Sequence, residues 1–359
     1  MELNPSIRIP SIDFYRGIAV VAVVLFHFNG FLPYGYLGVD LFFVISGYLV
    51  GGILVRSYLK GSLDFLSFFL KRAFKILPSY YFFIVVGGLL AYFMYGEINQ
   101  DGVLPLSDMK RYLFFYRNYT GEPHHWNFDH VWSLCIEEHF YLFFPLTLIF
   151  CYKFFGISKK ALLIVVISMI IFGFVFKNLS HFYTTGKDTF SATHNRIDAL
   201  GYGVLLYMTS IRFKKYLSKK INAVLVSVGI IGLAIFIYLD SSFDFYYYKK
   251  VVFHSVVPLF LSLIILGSLD SKFSRFIIIK KLATQSYNLY LWHPLFLFIV
   301  IYWFGISFLG FVFYSLISFM FAFLATKYIE IPFLSYREKV VSKTINYRDS
   351  LMKKSDLNK

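Results

Sequence analysis

Charge is scarce along this chain: Asp, Glu, Lys and Arg make up 15% of its 359 residues, against about 25% in an ordinary globular protein. So few ionisable groups cannot cover the surface of a chain that is 58% apolar, which excludes a soluble globular enzyme. Disorder, which requires low hydrophobicity, is excluded more firmly. Acidic groups are the scarcer kind, 20 against 35 basic ones. There are only two cysteines, Cys135 and Cys151, sixteen residues apart in what reads as one helix. That places them about 24 Å apart, too far for a disulfide. The N-terminus lacks the short apolar core and small-residue cleavage site of a secretory signal, so its first apolar stretch is expected to remain as a span. No repeat of fixed period is visible.

What the chain has in abundance is long apolar runs. Ten stretches approach the roughly 20 residues needed to cross a bilayer: 12–32, 36–55, 76–95, 131–152, 161–177, 193–210, 221–239, 251–269, 283–304 and 307–328. The net charge of +15 raises nucleic acid as a partner, but the basic residues recur between apolar runs instead of forming one patch. Alternate connections and the two ends hold 27 of the 35 Lys and Arg, the positive-inside pattern of a chain with both termini in the cytoplasm. The expected fold is therefore an all-α polytopic membrane protein of about ten transmembrane helices. It comprises a membrane domain over 1–329 and a basic cytoplasmic tail over 330–359, with the lipid bilayer and not nucleic acid as its environment.

Ionisable groups inside spans are costly and so mark function by default. Arg16 and His27 lie eleven residues apart on the first span, about 20° past three full turns, hence on one face about 16 Å apart. Glu137 and Glu138 enter the fourth span from the outer side, Glu137 at about the depth of His27, and Asp40 begins the second span from that side. A histidine and carboxylates converging at one level can abstract a proton from a hydroxyl. Adjacent Glu137 and Glu138 project about 100° apart, so at most one of them is expected to face the same cavity as His27. Arg72 and Lys75, one turn apart at the cytoplasmic edge of the third span, form a fork suited to phosphates or, alternatively, plain positive-inside anchors. His124, His125, Asp129 and His130 crowd the longest outer connection. Polar residues on a solvated loop account for them without assembly of a metal site, and no metal is expected.

Five blocks of residues then fall into a pattern. They are Asp13-Phe-Tyr-Arg16-Gly17 with His27; Gly38-Val-Asp40-Leu-Phe-Phe-Val-Ile-Ser46-Gly47-Tyr48; Arg72-x-x-Lys75-Ile-Leu-Pro78; Trp132-Ser133-Leu-x-x-Glu137-Glu138-x-Phe140-Tyr141; and Ser286-Tyr-Asn-Leu-Tyr290-Leu-Trp292-His293. Together, in register over nearly the whole chain, they resemble the acyltransferase 3 family of membrane O-acyltransferases. The resemblance implies a ten-helix domain that moves an acyl group, usually acetyl, from cytoplasmic acyl-CoA to a hydroxyl of a cell-surface carbohydrate or its lipid-linked precursor, in a bacterial inner membrane. It implies that His27 matches the family's catalytic histidine, aided by Glu137, Glu138 and Asp40. Arg16, Arg72 and Lys75 would hold acetyl-CoA, Lys75 replacing an arginine and so keeping charge but losing bidentate geometry. Asp13, Trp132, Ser133, Tyr141, Asn288 and His293 would shape the substrate cavity. Some relatives carry an extracytoplasmic esterase-like domain; this chain is expected to handle donor and acceptor with one domain. The rival from another class, a flippase of lipid-linked sugars, would use polar midplane groups and Pro-interrupted helices too, but predicts inverted internal symmetry. An inactive relative is disfavoured by the intact His27, Arg16, Arg72 and Glu137.

Overall fold

The computed structural model describes residues 9–95, 106–120, 127–183, 189–242, 247–271 and 277–357, and these contain helices and connections with no strand. The long helices are α1 (Pro10–His27), α2 (Leu37–Leu59) and α3 (65–95), followed by the short α4 (Leu106–Leu113). Then come α5 (Trp132–Phe155), α6 (Lys159–Tyr183), α7 (Thr193–Phe213), α8 (Lys219–Ser242), α9 (Tyr248–Ser268), α10 (Ile277–Phe304) and α11 (308–357). Each of the ten stretches expected to span coincides with one of the ten long helices. Among the described residues nine helices are long and apolar enough to cross a membrane. The remaining long one, α7, carries His194, Arg196 and Asp198 in its first turns and buries Arg196 and Asp198 against its neighbours, with His194 half-buried.

Local chemistry accounts for several ends. The Asp64 carboxylate accepts from the Ser67 amide (3.1 Å) and hydroxyl (2.8 Å) and caps α3, while Ser307 caps α11 by accepting from the Gly310 amide (3.0 Å), in each case satisfying an N–H that has no intrahelical partner. The start of α3 lies well before the expected 76, and Lys71, Arg72 and Lys75 all sit on it. The boundary drawn between 329 and 330 crosses a helix that continues through a π-turn, Thr326–Glu330, into Ile331–Leu357. Pro332 explains the widened turn, because it offers no N–H to the carbonyl four residues back. Glu330 is buried, and the following stretch packs along α3.

α2 is buried along most of its length, whereas α6 and α8 present Ile164, Phe172, Ile230 and Ile231 outward, as lipid-facing helices do. Close backbone approach holds the centre. A Cβ on Gly203 of α7 would stand 2.8 Å from the Gly47 Cα of α2, so the two glycines let these helices touch where larger residues would separate them. α1 packs against α10, with Gly17 set directly on Ile279. Cys135 and Cys151, both on α5, are buried free thiols.

Candidate active site

A cavity of about 1080 Å³ opens among α1, α2, α3, α5, α10 and α11. Arg16, Arg56, Lys60, Lys71, Arg72, Lys75 and Arg337 line it, against the carboxylates Glu137, Glu138 and Glu338. Helical spacing explains the gathering. Arg56 and Lys60 lie one turn apart at the end of α2, and Lys71, Arg72 and Lys75 occupy adjoining turns of α3, so five cations from two consecutive helices meet at one end. Arg16 donates to the Ser286 hydroxyl (3.0 Å), and Arg56 donates to the Tyr207 hydroxyl through Nε (3.3 Å) and Nη2 (3.2 Å). The Nε of Arg72 is buried and has no hydrogen-bond partner among the described residues. A buried unsatisfied guanidinium N–H is costly; Arg196 carries two as well, away from the cavity, but the one on Arg72 borders the cavity, where a ligand anion would satisfy it.

Both glutamates line this cavity, where spacing allowed at most one beside His27, and His27 is not in its wall. Glu137 accepts from Tyr141 (2.6 Å), one turn further along α5, and Tyr141 shares a second bond with Ser46 (2.6 Å). Glu138 leaves a buried Oε1 without a partner among the described residues. Lys75 is paired with Glu330 of the π-turn, and Asn288 donates to both Glu330 (2.9 Å) and Thr326 (2.9 Å). Asn288 therefore holds Lys75's partner and is absent from the cavity wall, whereas Ser133 and Tyr141 line it.

His27 lies behind that wall. Its Nδ1–H donates to the Val23 carbonyl (2.9 Å), and the same atom is 3.4 Å from Nε2 of His293. His293 contacts a third imidazole, His130, with ring centroids 5.6 Å apart. Tyr290 stands between the histidines and the cavity: it lines the cavity, its hydroxyl donates to the His130 carbonyl (2.9 Å) and bonds Ser133 (2.6 Å), and its ring lies 5.8 Å from that of His293. Ser286, Tyr290 and His293 occupy one face of α10 at a spacing of four and three residues, and that face meets the Arg16 and His27 face of α1.

Other expected residues are placed elsewhere. Asp40 is buried in a second polar cluster, accepting from Nη2 of Arg196 (2.6 Å) with His254 Nδ1 3.5 Å from its other oxygen. Lys177 pairs there with Asp198 and donates to the Ser255 hydroxyl (3.1 Å) and the His254 carbonyl (3.1 Å). That carbonyl is available because Pro258, four residues on, has no N–H to offer it. Trp132 belongs to this cluster too, with the Arg196 guanidinium 6.0 Å from its ring centroid. Asp13 sits in the first turn of α1, away from the cavity wall. Of the loop residues considered for metal, His124 and His125 lie outside the described residues, Asp129 pairs with Arg117 (2.8 Å), and His130 belongs to the histidine group. Among the described residues no three His, Cys, Asp or Glu side chains are grouped to hold a metal ion. Sequence reasoning missed Arg196 and Lys177 as buried charges and Arg56 and Lys60 as cavity cations. The prolines placed four residues after His254 and Tyr290 were the available signal for carbonyls released to side chains.

The helices, the cation-lined cavity inside them and the histidines behind it define a multi-pass membrane protein with an internal polar site. Comparison with known proteins sharpens that class. A family model described as "Acyltransferase domain" matches residues 9–327, so the chain belongs to this acyltransferase family. It is 30% identical over 318 residues to the O-acetyltransferase OatA of Staphylococcus aureus (strain NCTC 8325 / PS 47), covering 82% of this chain and 52% of the relative. It is 30% identical over 307 residues to the peptidoglycan O-acetyltransferase OatA of Listeria monocytogenes, with 79% and 49% covered. A putative O-acetyltransferase of Staphylococcus aureus (strain COL) is 27% identical over 372 residues, with 95% and 59% covered. The chain thus spans about half the length of the OatA relatives it matches. No solved structure matches it. Membership of an acyltransferase family does not favour the flippase alternative.

Proposed function

We propose that the protein transfers an acetyl group from cytoplasmic acetyl-CoA to a hydroxyl of a cell-surface carbohydrate or its lipid-linked precursor, in a bacterial cell membrane. The observation that carries this reading is the cavity with seven cations against three carboxylates, including a buried Arg72 Nε that lacks a partner among the described residues. Coenzyme A presents a pyrophosphate and a further phosphate on a long thin arm, and arginines are the side chains that meet phosphate oxygens with two donors at once. The names of the relatives, O-acetyltransferases, support acetyl as the group, and the peptidoglycan acceptor in the name of the Listeria protein supports a surface glycan as the acceptor class.

In this reading Arg72 and Arg16 take the phosphates, with Lys75 adding charge while Glu330 holds its position. The pantetheine arm follows α1 and α10 past Tyr290 toward His27. With its Nδ1–H donated to Val23, His27 carries its lone pair on Nε2, the tautomer a general base requires. Nε2 takes the acceptor hydroxyl proton as that oxygen bonds to the acetyl carbon. The carbon–sulfur bond then breaks, and the departing sulfur receives the proton back as the coenzyme A thiol. Glu137 and Glu138, at the cavity wall, accept from N–H or O–H groups of the bound ligands.

The test is purified protein in liposomes supplied with radiolabelled acetyl-CoA and candidate glycans. Label appearing on a glycan with stoichiometric release of coenzyme A is the expected outcome. Movement of a lipid-linked sugar across the bilayer without coenzyme A release would overturn the reading in favour of a flippase.

A further inference from the structure

His27 and His293 come together through a backbone device. Pro294 has no N–H for the carbonyl of Tyr290, four residues before it. The side chain of His293 uses that carbonyl: Nδ1–H donates to Tyr290 (2.8 Å) and lies 3.2 Å from the Leu289 carbonyl. With two carbonyls facing Nδ1, the hydrogen of a neutral ring resides there, and Nε2 is left with its lone pair. That lone pair lies 3.4 Å from Nδ1 of His27, with ring centroids 4.8 Å apart. The ionisable groups that face His293 from the elements packed on it are His27 on α1 and His130 before α5, both imidazoles. Tyr290 faces it from its own helix. His130 turns its own N–H away, donating through Nε2 to the Leu291 carbonyl (3.1 Å). Neither Glu137, Glu138 nor Asp40 stands where a carboxylate would orient the base: their partners are Tyr141, none among the described residues for the buried Oε1 of Glu138, and Arg196.

We infer that His293 is the positioning residue of His27, a neutral imidazole in the place where a carboxylate would orient a catalytic histidine, held in its acceptor tautomer by the Tyr290 carbonyl that Pro294 releases. This rests on the acetyl-transfer reading for its consequence, not for its geometry. In the resting state the single Nδ1–H of His27 is shared between Val23 and the His293 lone pair. When His27 accepts the acceptor-hydroxyl proton on Nε2 it becomes an imidazolium whose Nδ1–H is a far stronger donor, and His293 receives that hydrogen bond. A carboxylate would do the same with a full negative charge buried in the membrane, which is costly without a permanent cation beside it. A neutral ring stabilises the charged intermediate without carrying charge beforehand.

Three variants and two readouts test the pair. His293→Leu removes the acceptor and should lower kcat by about 10²-fold while leaving KM for acetyl-CoA unchanged, because the donor phosphates lie elsewhere. His293→Gln, whose Oε1 can occupy the region of Nε2, should recover activity to within about tenfold of the parent. Pro294→Ala returns an N–H to the Tyr290 carbonyl and should give a loss between the two. In parallel, ¹⁵N-histidine NMR of the full protein in nanodiscs, without substrate, should show both rings as Nδ1–H tautomers, and His27 titrating at lower pH in His293→Leu than in the parent. Equal kcat for the Leu and Gln variants, or an unchanged His27 titration in His293→Leu, would overturn the inference. If His293→Leu fails to fold by size-exclusion chromatography, Pro294→Ala decides by the same two readouts. Were the parent inactive on acetyl-CoA while His27 still shifts in the variants, the histidine pair would stand and the transferase reading would fall.

Discussion

Two polar regions lie inside this helical body, and they are built on opposite principles. In the cavity, cations from α1, α2, α3 and α11 outnumber carboxylates. In the cluster between α2, α6, α7 and α9, two cations meet two carboxylates. Arg196 pairs with Asp40 and Lys177 with Asp198, and all four side chains are almost fully buried. Charges balanced pair by pair fix helices against one another, although Nε and Nη1 of Arg196 are buried without a hydrogen-bond partner among the described residues. An imbalance of charge around a cavity is stable only if solvent or a ligand completes it. The comparison separates a fastening from a binding site although both are made of the same residue types in the same apolar surroundings.

The largest effect that sharpens this contrast falls on the chemistry next to the cavity. His27→Ala should lower acetyl transfer by about 10²–10⁴-fold yet retain binding of labelled coenzyme A, since the cavity cations proposed to bind it are untouched. Near-normal turnover in that variant would remove the histidine from the mechanism. Next comes the fastening. Arg196→Met leaves Asp40 without its principal partner and should destabilise the fold by about 3–5 kcal/mol, read as a lower Tm in detergent. The double variant Asp40→Leu with Arg196→Met should recover much of that loss, and a single variant as stable as the parent would show that the cluster fastens nothing. On the cavity side, Arg72→Ala should weaken coenzyme A binding by about 1.5–3 kcal/mol at moderate salt while leaving Tm near that of the parent, the reverse of the Arg196 result. Equal effects of both substitutions on binding and Tm would erase the distinction. The smallest perturbation locates the two regions across the membrane: a cysteine at exposed Lys215 should resist an impermeant thiol reagent applied from outside, and one at exposed Ile306 should react. The native thiols are buried and contribute little background. Labelling with the opposite sidedness would place the cation-rich cavity on the outer face.

Nine of the ten long helices were legible because each has the length and apolar composition needed to cross lipid, a one-dimensional requirement that composition records directly. Arg16 and His27 could be assigned to one face because helical periodicity is equally local. Arg72 and Lys75 could likewise be placed at a cation-rich edge. What could not be read was which faces meet. Asp40 begins its span from the side where His27 was expected, yet its charge is spent on Arg196 from a helix 156 positions away. Asn288 and Trp132 sit within motif blocks but serve Glu330 and Arg196, and buried Glu330, placed by the sequence reading in a tail, pairs with half-buried Lys75.

The sequence by itself determined that this protein is a bundle of membrane helices and which few ionisable residues the apolar runs tolerate. These follow from hydropathy, length and charge, which act along the chain. Only the tertiary structure decided which of those residues are paired off and which border an open cavity, and that the neighbour of His27 is an imidazole. Pairing depends on which helices pack together and on carbonyls released by prolines, and both are settled when faces distant in sequence come within about 3 Å of one another.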